Sequence, residues 1–593
     1  MIQKRRILAL LIMLAMLASS IPAPVLAVTT AQWSGTFTGT HNNTTTTTAL
    51  PTDPNRVQKT WQAQVGNNTI VILDDYIYTY NGVSQAEDTS AGGTLYKLDK
   101  QTGSIVATME CSVGSSYYYS YIIYAGGLLY IGCPDAVMAV DPDSFTLLWT
   151  ATVPMNMYPT LQYVGGCIVT NGTVLNATTG ATVKTLPGSY SWSSGAEVNG
   201  YFYVASTNGN LYAFHTTTWE TADTLTYGGS GAGVMYYGGW LYWGDKAAGK
   251  LYAVQASGGV FADSSYTSVD CGYSTMGAPV AAGNRIYLAG YKRDGSTEGT
   301  GYGAVCVFST SDRSLIYAAQ MSGTGHKIQC TPILSAPASG GNVVAGNAVP
   351  MSSGDGSVYI YVQDYASPGC VYVLADKEGQ NSGALQKLIT PDPGDYAWEQ
   401  LACDKDGALY VTTDAGYLLK YETASVLQPQ ITTDLSTAEV LCGQNGVVDA
   451  LSVSAVSPDG GTITYQWQMR TEGGSFANIS GATADTYTPS TQEPGTFYYR
   501  CIITNTLSGE KVEAYSKVAK ITVQEKQSKT GDLNGDGAVN MMDVTVLKRF
   551  LAGWAGYSVS VADGDLNGDG VVNMMDVTVL KRHLAGWAGY EAL

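Results

Sequence analysis

Charge and histidine are both scarce in this chain. Asp, Glu, Lys and Arg make up 13% of 593 residues, and there are four histidines, at 41, 215, 326 and 583. No HExxH run and no Ser–His–Asp arrangement can be read, so metalloprotease and serine-hydrolase chemistry lack their usual residues. The ten cysteines (111, 133, 167, 271, 306, 330, 370, 403, 442 and 501) form no CxxC pair, which leaves a structural zinc site unsupported. Their irregular spacing suggests buried small hydrophobes, with one or two bridges open. Beyond the N-terminus no stretch approaches the roughly 18 consecutive apolar residues of a membrane span.

Cations are fewer than anions, 30 against 48. Lys4-Arg5-Arg6, the apolar run 7–18 and the small residues Val25-Leu26-Ala27 read as a secretory signal over residues 1–27. Its removal would take the net charge from −18 to −21, because it holds three cations and no acids. An acidic exported chain is a poor partner for nucleic acid or anionic membranes. No cysteine near the cut offers a lipid anchor, so a secreted, extracellular protein is expected.

What is abundant is glycine (69) and tyrosine (42). Short Tyr-rich runs between glycines predict a mainly β chain of several domains. Residues 28–58, with the run NNTTTTT at 42–48, read as a Thr/Asn-rich lead-in. From 59 to 426 a loose unit recurs, with starts near 69, 119, 158, 192, 231, 275, 328 and 396. Its second strand appears as Leu128-Leu129-Tyr130-Ile131, Tyr201-Phe202-Tyr203-Val204 and Trp240-Leu241-Tyr242-Trp243. Its third appears as Leu95-Tyr96-Lys97-Leu98-Asp99, Val137-Met138-Ala139-Val140-Asp141 and Asn210-Leu211-Tyr212-Ala213-Phe214. Four short strands per unit predict a β-propeller of eight blades, with seven as the alternative. The last unit lacks a fourth strand, and residues 59–65 (KTWQAQV) can supply it and close the ring. The "LYALDxxTGxxxW" flavour resembles PQQ-like propeller repeats. The resemblance implies a fold and little chemistry. The adjacent cysteine pair of the PQQ enzymes is missing, so no PQQ is expected.

Residues 430–523 change to alternating strands. Trp467, and Tyr499 two residues before Cys501, resemble the core Trp and tyrosine corner of a bacterial immunoglobulin-like domain. The usual partner cysteine is absent, and Cys442 is an unproven substitute. The module reads as a spacer, with sugar binding as the alternative.

A polar linker, 524–531, leads to a phrase written twice. Residues 532–557 read DLNGDGAVNMMDVTVLKRFLAGWAGY, and 565–590 repeat it with changes at Ala538/Val571 and Phe550/His583 alone. Asp532, Asn534, Asp536, the Ala538 carbonyl, Asn540 and Asp543 supply oxygens at loop positions 1, 3, 5, 7, 9 and 12. Gly537 sits at the bend, the pattern a hard cation such as Ca²⁺ requires. Asp565, Asn567, Asp569, Val571, Asn573 and Asp576 repeat it. A helix follows each loop, since Val544, Leu547 and Leu551 form an apolar stripe with Lys548 and Arg549 off it, where they are expected to be solvated. A duplicated loop–helix with Asp at position 12 and Lys-Arg in the helix resembles the type I dockerin, over residues 532–593. The resemblance implies two calcium ions and docking onto a cohesin of a scaffoldin in a cellulosome-type complex. It places partner contacts at Met541, Met542, Lys548 and Arg549, and at Met574, Met575, Lys581 and Arg582. Small hydroxyl residues are usual where the Met pairs stand. Recognition is the favoured reading of those pairs over core filling.

For the propeller, recognition of plant polysaccharide or of a protein is expected. The runner-up is a polysaccharide hydrolase or lyase, which would need opposed carboxylates. Candidates are Asp74, Asp75, Asp245, Glu298, Asp364, Asp395, Glu399 and Asp404. Candidate sugar-stacking aromatics are Tyr117–Tyr119, Tyr236, Tyr237, Trp240, Trp243 and Trp398, although core positions are the commoner fate of such residues.

Overall fold

The computed structural model describes residues 31–35, 41–66, 68–82, 93–111, 121–133, 135–154, 160–293, 301–323, 325–336, 356–397, 401–525 and 529–593. The signal segment, Tyr117–Tyr119, Glu298, Trp398 and Glu399 lie outside them. The chain divides into two compact units: Met1–Gln428 with Thr506–Val512, and Pro429–Asn505 with Glu513–Leu593.

In the first unit, eight antiparallel sheets follow one another along the chain among the described residues. The first is Ile70–Leu73, Tyr76–Gly82, Gly93–Asp99 and Ile105–Cys111. The others span 121–152, 162–185, 196–226, 231–270, 280–320, 333–389 and 402–423. The last takes its fourth strand from Val57–Gln64, which pairs antiparallel with Tyr417–Thr423, for example Gln62 opposite Leu419.

Alternation of side chains explains why these strands read as nearly continuous apolar runs. Successive residues point to opposite faces, and both faces are covered. Met138 and Val140 pack with the first sheet, while Val137 and Ala139 pack with Ile168 and Leu175 of the third. Val169 and Val174 meet Phe202 and Phe214 of the fourth. Leu211 and Ala213 meet Trp243 and Val254 of the fifth, and Met235 and Tyr242 meet Ile286 and Phe308 of the sixth. Val305 and Val307 meet Ile360 and Leu374 of the seventh. The final cluster joins Ile333 and Tyr361 to Leu409 and Leu418, and these to Ile72, Ile77 and Leu98 of the first sheet. Each sheet shares a core with the next, and the last shares one with the first. The unit is a closed, propeller-like ring.

The recurring Asp/Asn-x-x-Thr-Gly phrase is a turn lock. The Asp99 carboxylate accepts from the main-chain N of Gln101 and Thr102 at 3.0 and 2.8 Å, and Asn176 does the same for Thr178 and Thr179 at 3.0 and 2.9 Å. Gly103 (φ 69°) and Gly180 (φ 72°) follow, and a Cβ at either would lie 2.5 Å from a tryptophan ring, Trp61 or Trp149. Trp61 Nε1 donates to the Lys100 carbonyl at 3.0 Å, and Trp149 Nε1 to that of Ala177 at 3.2 Å. The junction that closes the ring thus repeats one inside it.

The lead-in is no free tail. Ala31–Trp33 pairs with Ile70–Leu73 of the first sheet, and Gly35 bridges Ile123 of the second. Asn42 Nδ2 donates to Ser194 Oγ (2.7 Å) and to the Val234 carbonyl (2.8 Å). Thr45–Thr46 runs parallel to Ile333–Ser335 of the seventh sheet. A segment this short can reach so many first strands only if those strands converge around it. Asn42, Asn43, Thr44 and Thr46 are accordingly at most 3% exposed. Polar side chains suit the place because they answer strand edges: Asn43 Oδ1 accepts from Ala281 N at 2.9 Å, and its Nδ2 donates to the Ala281 carbonyl at 3.1 Å. Replacing Asn43 by Ala strands both groups and should cost roughly 1–3 kcal/mol, read as a lowered urea midpoint.

The ten cysteines are all free thiols, and nine are buried. The small-hydrophobe expectation holds, and neither bridge nor a Cys442–Cys501 pair forms.

Beyond Pro429, the largest sheet runs in the order Val440–Gly443, Ala519–Gln524, Gly495–Leu507, Thr462–Thr471 and Ala477–Asn478, with Glu510–Tyr515 beside Gly495–Leu507. Trp467 and Cys501, both fully buried, pack with Leu435, Val453 and Ile503. Trp467 Nε1 is satisfied by the Ala484 carbonyl at 2.9 Å. The second unit also carries two eleven-residue helices, Met541–Leu551 and Met574–Leu584, with a four-residue helical turn, Val561–Gly564, between them.

Candidate functional site

The two C-terminal loops are nearly superposable in their bonding. Asp532 accepts from the main-chain N of Asp536 (3.2 Å) and Gly537 (2.8 Å), and Asp565 from Asp569 (3.1 Å) and Gly570 (2.7 Å). Asn534 Oδ1 accepts from Asp536 N at 2.9 Å, and its Nδ2 donates to Asp536 Oδ2 at 2.7 Å. Asn567 and Asp569 repeat the second contact at 2.8 Å. Gly537 (φ 90°) and Gly570 (φ 85°) occupy the left-handed region that the bend demands. Asn567 and the Val571 N–H hold the Asp569 carboxyl below its ordinary value.

Asp543 and Asp576 are the pivots. Each is fully buried. Asp543 Oδ1 accepts from Leu533 N (2.7 Å) and Asn534 N (3.0 Å), and Oδ2 from Asn540 N (2.8 Å). Asp576 repeats this with Leu566, Asn567 and Asn573 at 2.8, 3.2 and 2.7 Å. Asn540 Oδ1 in turn caps the helix, accepting from Met542 N at 2.7 Å, so loop closure and helix start share residues. Asn573 does the same for Met575. The side chains of Asp532, Asn534 and Asp536 are brought together, whereas Asn540 faces the helix and the Ala538 carbonyl, to which its Nδ2 donates at 3.3 Å.

The donor set fits a hard cation. Every candidate donor is oxygen, and each loop carries three carboxylates. Counting His, Cys, Asp and Glu alone, no group of three or more is poised for a metal among the described residues. Half of each set is instead amide or main-chain oxygen, as calcium accepts.

Val544, Leu547, Val577 and Leu580 form the small core between the helices. The Met pairs stay outside it: Met541 and Met574 are 59% exposed, Met542 and Met575 62%. Lys548 and Lys581 are exposed and lie side by side, and Lys548 holds the Lys581 ammonium below its ordinary value. Arg549 and Arg582 depart from the expected solvated state. Each is half-buried, with its guanidinium 5.3 Å from two rings, Trp554 and Tyr557 in one copy, Trp587 and Tyr590 in the other. Those tryptophans carried no role in the sequence reading, although their repetition in GWAGY was a visible signal.

The ring's candidate acids separate into distinct roles. Asp245 and Asp404 are fully buried turn locks. Asp245 takes Tyr252 OH at 3.0 Å and Ala247 N at 2.7 Å; Asp404 takes Tyr410 OH and Ala408 N, both at 2.9 Å. Asp74 and Asp75 are exposed turn residues, and Asp395 caps Tyr396 N at 2.8 Å. Asp364, 1% exposed, holds His326 Nδ1 at 2.5 Å. Burial pushes its carboxyl up, and the His326 ring offsets part of that. His326 is partly exposed and stands edge-on to Tyr372. Trp243 and Tyr237 belong to the core. Trp240 is covered by the Arg313 guanidinium at 4.1 Å, and Tyr236 packs on His41 at 5.2 Å.

None of the curated proteins matches the chain. Similar solved structures include BamB from Moraxella catarrhalis (14% identity, 62% of this chain and 99% of that chain, TM-score 0.40). Two others are the quinohemoprotein alcohol dehydrogenase of Comamonas testosteroni (10%, 68% and 83%, 0.42) and a europium-containing methanol dehydrogenase (10%, 66% and 98%, 0.44). None of these likenesses bears on chemistry. A domain of unknown function (DUF8696) matches residues 433–525, and the dockerin type I domain matches residues 530–585. The chain therefore ends in a dockerin type I domain, a kind of module that binds calcium and docks on a cohesin.

Proposed function

We propose that this is a secreted component of a cellulosome-type assembly, in which the tail docks the whole chain onto a scaffoldin. The single observation behind this is the duplicated loop–helix with its dockerin match and its exposed Met pairs. Calcium would be held by Asp532, Asn534, Asp536, the Ala538 carbonyl, Asn540 and Asp543, and by Asp565, Asn567, Asp569, the Val571 carbonyl, Asn573 and Asp576. It supplies the positive charge that each acidic loop lacks. Met541, Met542, Lys548 and their counterparts Met574, Met575 and Lys581 face the cohesin. The test is calorimetry on the full chain: two calcium ions per molecule, and binding to recombinant type I cohesins that disappears in EDTA. Calcium-independent binding, or none, overturns it.

The first unit serves as a recognition head, read as an eight-bladed propeller because eight sheets share cores in a cycle. We place its start at residue 31 rather than 59, since the lead-in is hydrogen-bonded into the ring. Residues 430–523 serve as an immunoglobulin-like spacer, supported by the buried Trp467 and Cys501. Plant polysaccharide is the favoured ligand of the head, and catalysis is the second reading. The latter is favoured by His326, oriented by a buried acid as a base would be. A glycan array and a polysaccharide digestion screen on the full chain separate them: retention without product supports recognition, and product that disappears in His326→Ala supports catalysis.

A further inference from the structure

We infer that Trp554 and Trp587 are partner-contact residues of the tail, each held outward by the arginine before it. The inference rests on the docking reading above and adds a second contact zone at the far end of each helix. An eleven-residue helix is about 16 Å long, so these rings lie well away from the Met pairs at the helix starts.

Each tryptophan is fixed in place before any partner arrives. Gly553 and Gly556 (φ 71° and 87°), and Gly586 and Gly589 (φ 69° and 85°), turn the chain back after the helix. Trp554 N donates to the Arg549 carbonyl at 3.0 Å, and Trp587 N to that of Arg582 at 3.1 Å. The guanidinium then lies 5.3 Å from both the Trp and the Tyr ring centres and donates to the tyrosine hydroxyl, at 2.7 Å in the second copy. With this clip in place the two indoles remain 58% and 57% exposed. Isolated exposed apolar residues are ordinary. A clip repeated bond for bond in two copies, leaving the largest side chain in the open each time, is not. Ordered tryptophans supply contact area at little entropic cost, and Trp is enriched among residues that dominate binding.

The clip also changes the part played by Arg549 and Arg582. Their charge is spent on neighbouring rings, so they act as positioning residues, and Lys548 and Lys581 are left as the cations that face outward. Two adjacent lysines repel, and a partner with carboxylates opposite them relieves that. The fitting cohesin face has acidic groups at its centre and an apolar recess for an indole beside them.

The test uses the full chain with calcium and a panel of recombinant type I cohesins, read by calorimetry. W554A/W587A should weaken binding by about 30-fold or more, and W554F/W587F should restore most of it. Each single variant should lose much less, because the other copy offers an equivalent ring. Helical circular dichroism and calcium stoichiometry should match wild type in all variants. Wild-type affinity in W554A/W587A overturns the inference and leaves docking intact. Wild-type protein that binds no cohesin overturns the docking reading and the inference together.

Discussion

Stripped of calcium, residues 530–593 should lose both helices while the ring and the middle module stay folded. The fully buried core between the helices is four residues, Val544, Leu547, Val577 and Leu580. So small a module cannot offset the entropy of ordering its own loops. Each loop concentrates three carboxylates, and Asp543 and Asp576 are fully buried. Without a cation these charges repel, and the main-chain N–H groups on Asp543 and Asp576 satisfy their lone pairs without neutralising them, so metal binding and folding are coupled here. EDTA should remove the helical signal of Met541–Leu551 and Met574–Leu584 and weaken cohesin binding by at least about 100-fold. D543A/D576A should do the same in excess calcium, since it also frees six main-chain N–H groups. A tail that keeps its helicity and protease resistance in EDTA would refute the calcium requirement.

The second large effect belongs to the ring. Arg285→Ala should destabilise it by about 3–5 kcal/mol, the cost of leaving a buried charge without its partner. Arg285 and Asp376 are 3% and 1% exposed. Arg285 Nη1 reaches both Asp376 oxygens at 3.2 Å, and Tyr287 and Tyr317 hydroxyls donate to the same carboxylate at 2.8 and 2.7 Å. Burial and the adjacent Asp376 hold both tyrosines far above their ordinary pKa, so they remain donors at any working pH. Two hydroxyls satisfy the carboxylate's lone pairs but not its charge. The control is Lys184→Ala, which breaks the surface pair with Glu220 (2.7 Å) and should cost no more than about 1 kcal/mol. Equal urea midpoints for the two variants would sink the argument.

The strands were legible because their periodicity was unusual in a particular way. Runs such as Val137–Val140 are apolar at every position, since one sheet serves two neighbouring cores, and that pattern survives without any alignment. The duplicated loops were legible because calcium chemistry dictates residue types at fixed spacing. The lead-in was not. Asn42–Thr48 has the composition of a solvated linker, and nothing local reveals that its amides and hydroxyls answer strand edges hundreds of residues away. Asp245 and Asp404 look like any acid on a loop, and only their tyrosine and main-chain donors identify them as turn locks. Arg549 and Arg582 sit off the apolar stripe as a solvated residue would; the rings that capture them arrive five and eight positions later, beyond the helical period.

The lead-in also bears on how fast this protein can form. Apart from the sheet that Val57–Gln64 completes, the sheets are built from local hairpins and can appear early, but Asn43 must find Ala281, 238 residues downstream, and Thr48 must find Ser335, 287 residues away. Such distant closures are slow, because the chain surrenders its freedom before any contact rewards it. The ring therefore reaches its final state only after the whole of residues 31–428 has left the ribosome, and refolding from urea should show early sheet signal followed by a much slower phase that reports the threading of its centre.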